Sequence, residues 1–296
     1  LFLALRLYLA RLPGGLAITS VGACAFFAAA SGSSVATASA MSRMAVPEML
    51  NNGYDRGLAT GTIAASGTLG SLIPPSVLLI LYGVYAQVSV GQLFMAGFIP
   101  GLLSALIYMA MIVIRVKLNP SLAGNVEINP TPEERREAFR DVWPLPTLIL
   151  VVLGGIFTGV FSPTEAGALG AFAAMVIAIL RRKLTRAAMI EAVSQGMLID
   201  SIGLLLLPLP ILVPLVAEAD INPVWFGIIV IKLLEIGLIT PPIGLNVYMI
   251  NGALNNRVTL PEIFRGITWF LAMDMLTLLI LIAFPILTLW LPSLAY

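Results

Sequence analysis

The alternation of apolar and polar stretches along the chain predicts helices on the scale of a bilayer. Apolar runs cover 93–114, 143–161, 163–180, 223–239 and 267–291, and a helix needs about 20 such residues to cross the hydrocarbon. Two other apolar stretches are interrupted at their centres. Residues 14–47 carry ASGSSVATASAM at 30–41, and 57–89 carry GTLGSLIPPS. A proline pair removes two donors and frees the carbonyls four residues earlier, those of Gly70 and Ser71. Pro241-Pro242 repeats the device inside 223–254 and frees Gly237 and Leu238. Backbone of this kind is tolerated in a membrane only where it lines an enclosed or watery cavity.

One constant offset pairs Gly70 with Gly237, Pro74 with Pro241, Pro75 with Pro242 and Leu78 with Leu245, and also Ser33 with Asp200 and Ser34 with Ser201. We read this as an internal repeat: a polar-tipped hairpin followed by a broken helix, twice. Interrupted apolar segments at matching positions of two halves point to the binding site of a secondary transporter. The plainer account is that the prolines recur by chance and that small residues only allow close helix packing.

Composition narrows the class. Only 10% of the 296 residues are charged and 59% are hydrophobic, against about 25% charged in soluble domains, which excludes a soluble protein. The formal net charge of +1 offers no field for nucleic acid. With no histidine, imidazole-based catalysis and imidazole metal sites are excluded. The single Cys24 lies in an apolar stretch as a buried, inert thiol. No GxxxxGK[ST] loop occurs, so ATP hydrolysis is not expected. An enzyme would need an acid dyad, and Asp200 with Glu235 is the one pair worth naming. The chain opens at Leu1 inside an apolar run and reads as the interior of a longer protein.

Charge also orients the chain. RRKLTR at 181–186 abuts a span and belongs in the cytoplasm by the positive-inside rule. Counting back places 115–141 there too, with TPEERREAFR (131–140) as a capped surface helix.

The broken helices suggest two kinds of site. Carbonyls of Gly70, Ser71, Gly237 and Leu238, with hydroxyls of Ser33, Ser34, Thr37, Thr68 and Thr240, are hard oxygen ligands suited to sodium. The N-terminal ends of the second half-helices, Pro75-Ser76 and Pro242 to Gly244, present N–H groups and a positive dipole end to an anionic solute, with Asn246 one turn on. Against this, Ser and Thr hydroxyls often bond their own helix. Charges within apolar runs cost roughly 2.5–3.5 kcal/mol each and need a reason. Asp200 sits at the second polar interruption. Glu235 either serves the site or pairs with Lys232, and Glu165 reads as a helix N-terminal acid. Asp274 has no evident partner, and Arg43 either meets a substrate carboxylate or reaches an interface.

The strings ASGSSVATASAM, VPEMLNNGYDRGLATGTIAASGTLGSLIPPS, SPTEAGALGAF and IGLITPPIGLNVY resemble the large membrane subunit of tripartite ATP-independent periplasmic (TRAP) transporters over most of the chain. The resemblance implies an all-α polytopic membrane protein with inverted repeats and two re-entrant hairpins, an elevator-type transport domain plus a partial scaffold. It implies hairpin tips at Ser31 to Thr37 and around Met197 to Ser201, and broken helices at Thr68 to Ser76 and Gly237 to Asn246. It also implies sodium-driven import of an organic acid such as a C4-dicarboxylate or sialic acid across the inner membrane. A periplasmic binding protein and a small membrane subunit are the implied partners.

On this reading 1–13 ends a scaffold span, and 14–92 is the first hairpin and broken helix. Scaffold helices follow at 93–195, the second hairpin and broken helix at 196–254, and a C-terminal span at 255–296. Two spans usual in the family between Gln195 and Gly196 are missing, and Ser66 replaces a common Gly. A truncated, nonfunctional relative and an ion channel remain the alternatives.

Overall fold

The structure, a computed structural model, describes residues 12–124, 142–181 and 202–294, together with positions 5, 6, 9, 136 and 185. Among the described residues the secondary structure is helical throughout. Helices α1 (Gly15–Ser31) and α2 (Ser34–Asn51) form a hairpin whose tip is two residues long. Gly32 closes α1 in the left-handed region at φ 63, its N–H bonded to Ala28 O, a conformation in which glycine carries no Cβ penalty. Ser33 then caps α2 by accepting from Ala36 N. The predicted interruption over 30–41 thus narrows to Gly32-Ser33, because the hydroxylated residues after it are helical. Ser34, Thr37, Ser39 and Ser42 are all buried.

Helix α3 (Arg56–Leu72) starts at Asp55, whose carboxylate accepts from Leu58 N, and every residue from Leu58 to Leu72 is buried. A helix buried on all sides belongs at the centre of a bundle. It packs against α1, α2 and α12 (Leu260–Ala283). Small residues make that possible: a Cβ on Gly61 would lie 2.6 Å from Gly266 C, and one on Gly70 2.7 Å from Ser33 O.

The chain then breaks at Ile73 to Ser76, with Pro74-Pro75 cis, and resumes as α4 (Val77–Ala86). Helices α5 (Val90–Leu118), α6 (Pro144–Phe157) and α7 (Pro163–Leu180) follow, then α8 (Ile202–Leu206) and α9 (Leu209–Glu218). The second broken helix is α10 (Pro223–Ile239) and α11 (Leu245–Ala253), with Pro241-Pro242 cis between them. After α12 comes the short α13 (Ile286–Leu289).

Among the described residues three segments are long and apolar enough to cross a membrane: 56–86, 90–118 and 260–283. Two predicted spans shift. The run 143–161 forms a helix of only 14 residues, ~21 Å at 1.5 Å per residue, because Gly159 turns the chain at φ 73. The last span starts earlier than predicted, where the Glu262 carboxylate accepts from both the N–H and the hydroxyl of Thr259, and ends before Pro285. Glu165 plays the same part for α7, accepting from Ser162 N and Oγ at 2.8 Å. The surface helix expected at 131–140 lies outside the described residues except for Arg136, as does most of 181–186.

Two apolar cores result. One joins α1, α2, α3, the end of α5, α11 and the start of α12. The other joins α4, the start of α5, α6, α8, α9, α10 and the end of α12. Each broken helix contributes one half to each core, so both breaks lie where the cores meet.

Candidate functional site

The tip of the α1–α2 hairpin lies against the first break. Val77 N, at the start of α4, donates to Gly32 O at 3.2 Å, and a Cβ on Gly32 would meet Pro75 O at 2.7 Å. Around the tip the hydroxyls bond one another and the backbone. Thr37 Oγ1 donates to Ser33 O at 2.7 Å and lies 2.9 Å from Ser31 Oγ.

Asn246, in the first turn of α11, reaches the same place from the other end of the sequence. Its Nδ2 donates to Ser34 Oγ at 3.0 Å and to Ala64 O at 3.1 Å, and its Oδ1 lies 3.3 Å from Ser34 Oγ. Ser34 and Asn246 are fully buried. The hairpin tip, the helix before the first break and the helix after the second are therefore tied by one amide.

Beside the tip is a cavity of about 370 Å³ lined by Ser31, Gly32, Pro75 and Ser76 on one side and by α6 and α7 on the other. Its wall is largely apolar, with Leu148, Val152 and Ala166 facing the tip. Polar groups at one end of an apolar cleft suit a small solute that needs orientation.

The breaks are more self-satisfied than expected. Of the four carbonyls that the prolines free, Ser71 O is taken by Ser76 Oγ at 2.6 Å and Gly237 O by Thr240 N at 3.3 Å. Those of Gly70 and Leu238 lose the N–H that a residue other than proline would offer them four positions on. Gly244 N donates to Thr240 O at 2.9 Å, so that N–H is not free for an anion. Ser76 caps α4 by accepting from Leu79 N, so its hydroxyl serves the helix while its atoms line the cavity.

Thr68 Oγ1 donates to Ala65 O at 2.7 Å and Thr240 Oγ1 to Ile236 O at 2.5 Å. Both follow the plainer expectation for helical threonines. Arg43 is exposed on α2, away from the cavity lining. Asp200 and the second hairpin tip at 197–201 lie outside the described residues.

Sequence reasoning missed a second polar centre. Lys232 Nζ, fully buried, donates to Asp274 Oδ1 at 2.6 Å, Glu235 Oε2 at 3.0 Å and Ser104 Oγ at 3.2 Å. Tyr108 Oη also donates to Asp274 Oδ1. The pairing of Glu235 with Lys232 was one of the two readings left open, but the partner of Asp274 was not foreseen. Charges inside apolar runs gave the signal, and three separate helices had to fold before they met. Thr68 borders this centre through Tyr108, which places it one helical turn below the first break.

Residues 3–195 and 187–287 match the family described as "Tripartite ATP-independent periplasmic transporter, DctM component". The chain belongs to that family. It is 33% identical to the C4-dicarboxylate TRAP transporter large permease protein of Pseudomonas aeruginosa, over 96% of this chain and 78% of the relative. It is 32% identical to the isethionate TRAP transporter permease protein of Oleidesulfovibrio alaskensis, over 84% of this chain and 48% of the relative. To the sialic acid TRAP transporter permease protein of Haemophilus influenzae it is 29% identical, over 97% of this chain and 55% of the relative.

These relatives are permease subunits, not enzymes, and the chain spans about half the length of two of them. The alignment to the Pseudomonas protein runs over 343 positions, more than the 296 residues here. That relative therefore carries internal segments with no counterpart in this chain, and the two family matches meet at 187–195.

Proposed function

We propose that this multi-pass membrane protein supplies the solute path of a sodium-driven importer of organic acids in the cytoplasmic membrane. It acts with a small membrane subunit and a periplasmic binding protein. The observation that carries the reading is the Asn246 amide, which binds the first hairpin tip at Ser34 and the α3 backbone at Ala64. Two interruptions far apart in an apolar sequence thereby become one polar assembly beside a cavity.

The donors at this assembly are neutral oxygens: the Gly70 and Leu238 carbonyls and the Ser33, Ser34 and Thr37 hydroxyls. Among the described residues there is no group of three or more carboxylates or thiols that would hold a metal ion. Neutral oxygens without clustered carboxylates suit a monovalent hard cation better than a divalent one. Asp200 would add the one charged ligand. The anionic solute would lie in the cavity by Ser76, with Arg43, Gly244 and Asn246 as further contacts reached when the two halves move against each other as an elevator. C4-dicarboxylates and sialic acid, the solutes in the names of the relatives, support an organic acid as the substrate class.

The test is uptake of labelled organic acids into proteoliposomes holding the complete membrane complex, with the binding protein supplied. Uptake is expected only with an inward sodium gradient, and about tenfold less in Asn246→Ala, the loss of roughly one buried hydrogen-bonded amide. Uptake that ignores sodium would sink the coupling. Normal uptake by Asn246→Ala and Ser34→Ala would sink the site.

A further inference from the structure

At the opposite end of α3 from the break, where α3 and α12 both begin, lies a polar cavity of about 270 Å³ lined by Asp55, Arg56, Arg115, Glu262 and Arg265. It holds three guanidinium groups and two carboxylates. Both acids already have work: Asp55 caps α3 and Glu262 caps α12 while pairing with Arg56 at 3.5 Å. Arg115 and Arg265 have no carboxylate within salt-bridge distance among the described residues. Arg115 Nη1 is moreover buried without any hydrogen-bond partner. The first turns of α3 and α12 add their positive dipole ends to the same spot.

Arg115 also lines a second cavity, of about 560 Å³, walled by Ile107, Met111, Ile114 and Leu118 of α5 and by Met273 and Leu276 of α12. Arg115 is thus common to the walls of both cavities. Trp269 lines the apolar cavity, with the Arg115 guanidinium 5.3 Å from its ring centre. Tryptophan beside arginine at the end of an apolar helix marks the level of the lipid headgroups. The basic residues of the chain place this end of α5 on the cytoplasmic side.

We propose that the two cavities form one site for an anionic phospholipid, its phosphate between Arg115 and Arg265 and an acyl chain along the groove between α5 and α12. A surplus guanidinium charge matches the headgroup, and the contiguous apolar groove matches the chain. Free phosphate would fill only the polar half. The inference needs the membrane placement of the helices and not the transport reading, so either can fail without the other.

The experiment is native mass spectrometry of the complete membrane complex with phosphatidylglycerol, phosphatidylcholine and inorganic phosphate as separate probes. Phosphatidylglycerol should be retained over phosphatidylcholine. Arg115→Gln and Arg265→Gln should each weaken retention about fivefold, the effect of one basic residue at a lipid surface. Ala110→Trp, which fills the groove, should weaken it too. Arg265 is exposed, so its variant tests the site without disturbing the core, and an unchanged melting temperature would verify that. Equal retention of the two lipids, or undiminished phosphatidylglycerol on Arg265→Gln, would overturn the proposal. Retention of inorganic phosphate in place of phosphatidylglycerol would overturn it as well, reducing the site to a simple anion pocket.

Discussion

Lys232 spends all three of its ammonium hydrogens inside the protein, on Asp274, Glu235 and Ser104. Removing one partner of such a centre leaves the other charges buried and uncompensated, at a cost of about 3–5 kcal/mol. Lys232→Met should therefore fail to accumulate as folded protein. Adding Glu235→Gln and Asp274→Asn should restore it, because the carboxylates that needed the cation are then neutral. Detergent-solubilised yield and melting temperature read both results, and a Lys232→Met protein as stable as the parent would refute the ion-pair account.

Cys24 illustrates the same scale in a quieter way. It is fully buried in the first core, so maleimide should label it only after denaturation, and rapid labelling of the native protein would show that α1 is packed differently. The residues hardest to read from sequence were the hydroxyls. Thr68 and Thr240 turn to their own helices while Ser34 turns to Asn246, and nothing local distinguishes the three.

Among the elements, α3 depends on the closeness of its neighbours. Gly266 of α12 lies so near the Gly57 carbonyl that any Cβ there would overlap it. Gly266→Leu should force α12 off α3 and lower the melting temperature, overpacking of this kind costing about 1–3 kcal/mol. If the melting temperature does not move, that crossing is not as close as described.

The proline pairs act differently, since they end one helix and let another start at a capping residue. Pro74→Ala with Pro75→Ala should restore donors to the Gly70 and Ser71 carbonyls and straighten the segment. Uptake should be abolished while membrane insertion persists. Transport by the straightened variant would mean that the break is incidental. The breaks themselves were legible because Pro-Pro inside an apolar run has few structural outcomes. Their internal hydrogen bonds, Ser76 to Ser71 and Thr240 to Gly237, were not, because a carbonyl freed by proline is claimed by whichever donor the turn brings round.

For the whole molecule, the two breaks sit at the junction of two apolar cores, with the Lys232 centre beneath them and the cavity of about 370 Å³ beside the hairpin tip. The sequence alone determined that this is a membrane protein of long apolar helices and that two of them are broken. Apolar length, proline and small-residue patterning are local properties, and they constrain the backbone before any packing occurs. Only the tertiary structure decided that Asn246 meets Ser34 and Ala64, that Asp274 finds Lys232 and Tyr108, and that Arg115 lies between a polar and an apolar cavity. Each of those contacts joins helices distant in sequence, and their side chains are brought within hydrogen-bonding reach by the way glycines let α3 and its neighbours approach. Periodicity along one helix carries no record of which face another helix will cover.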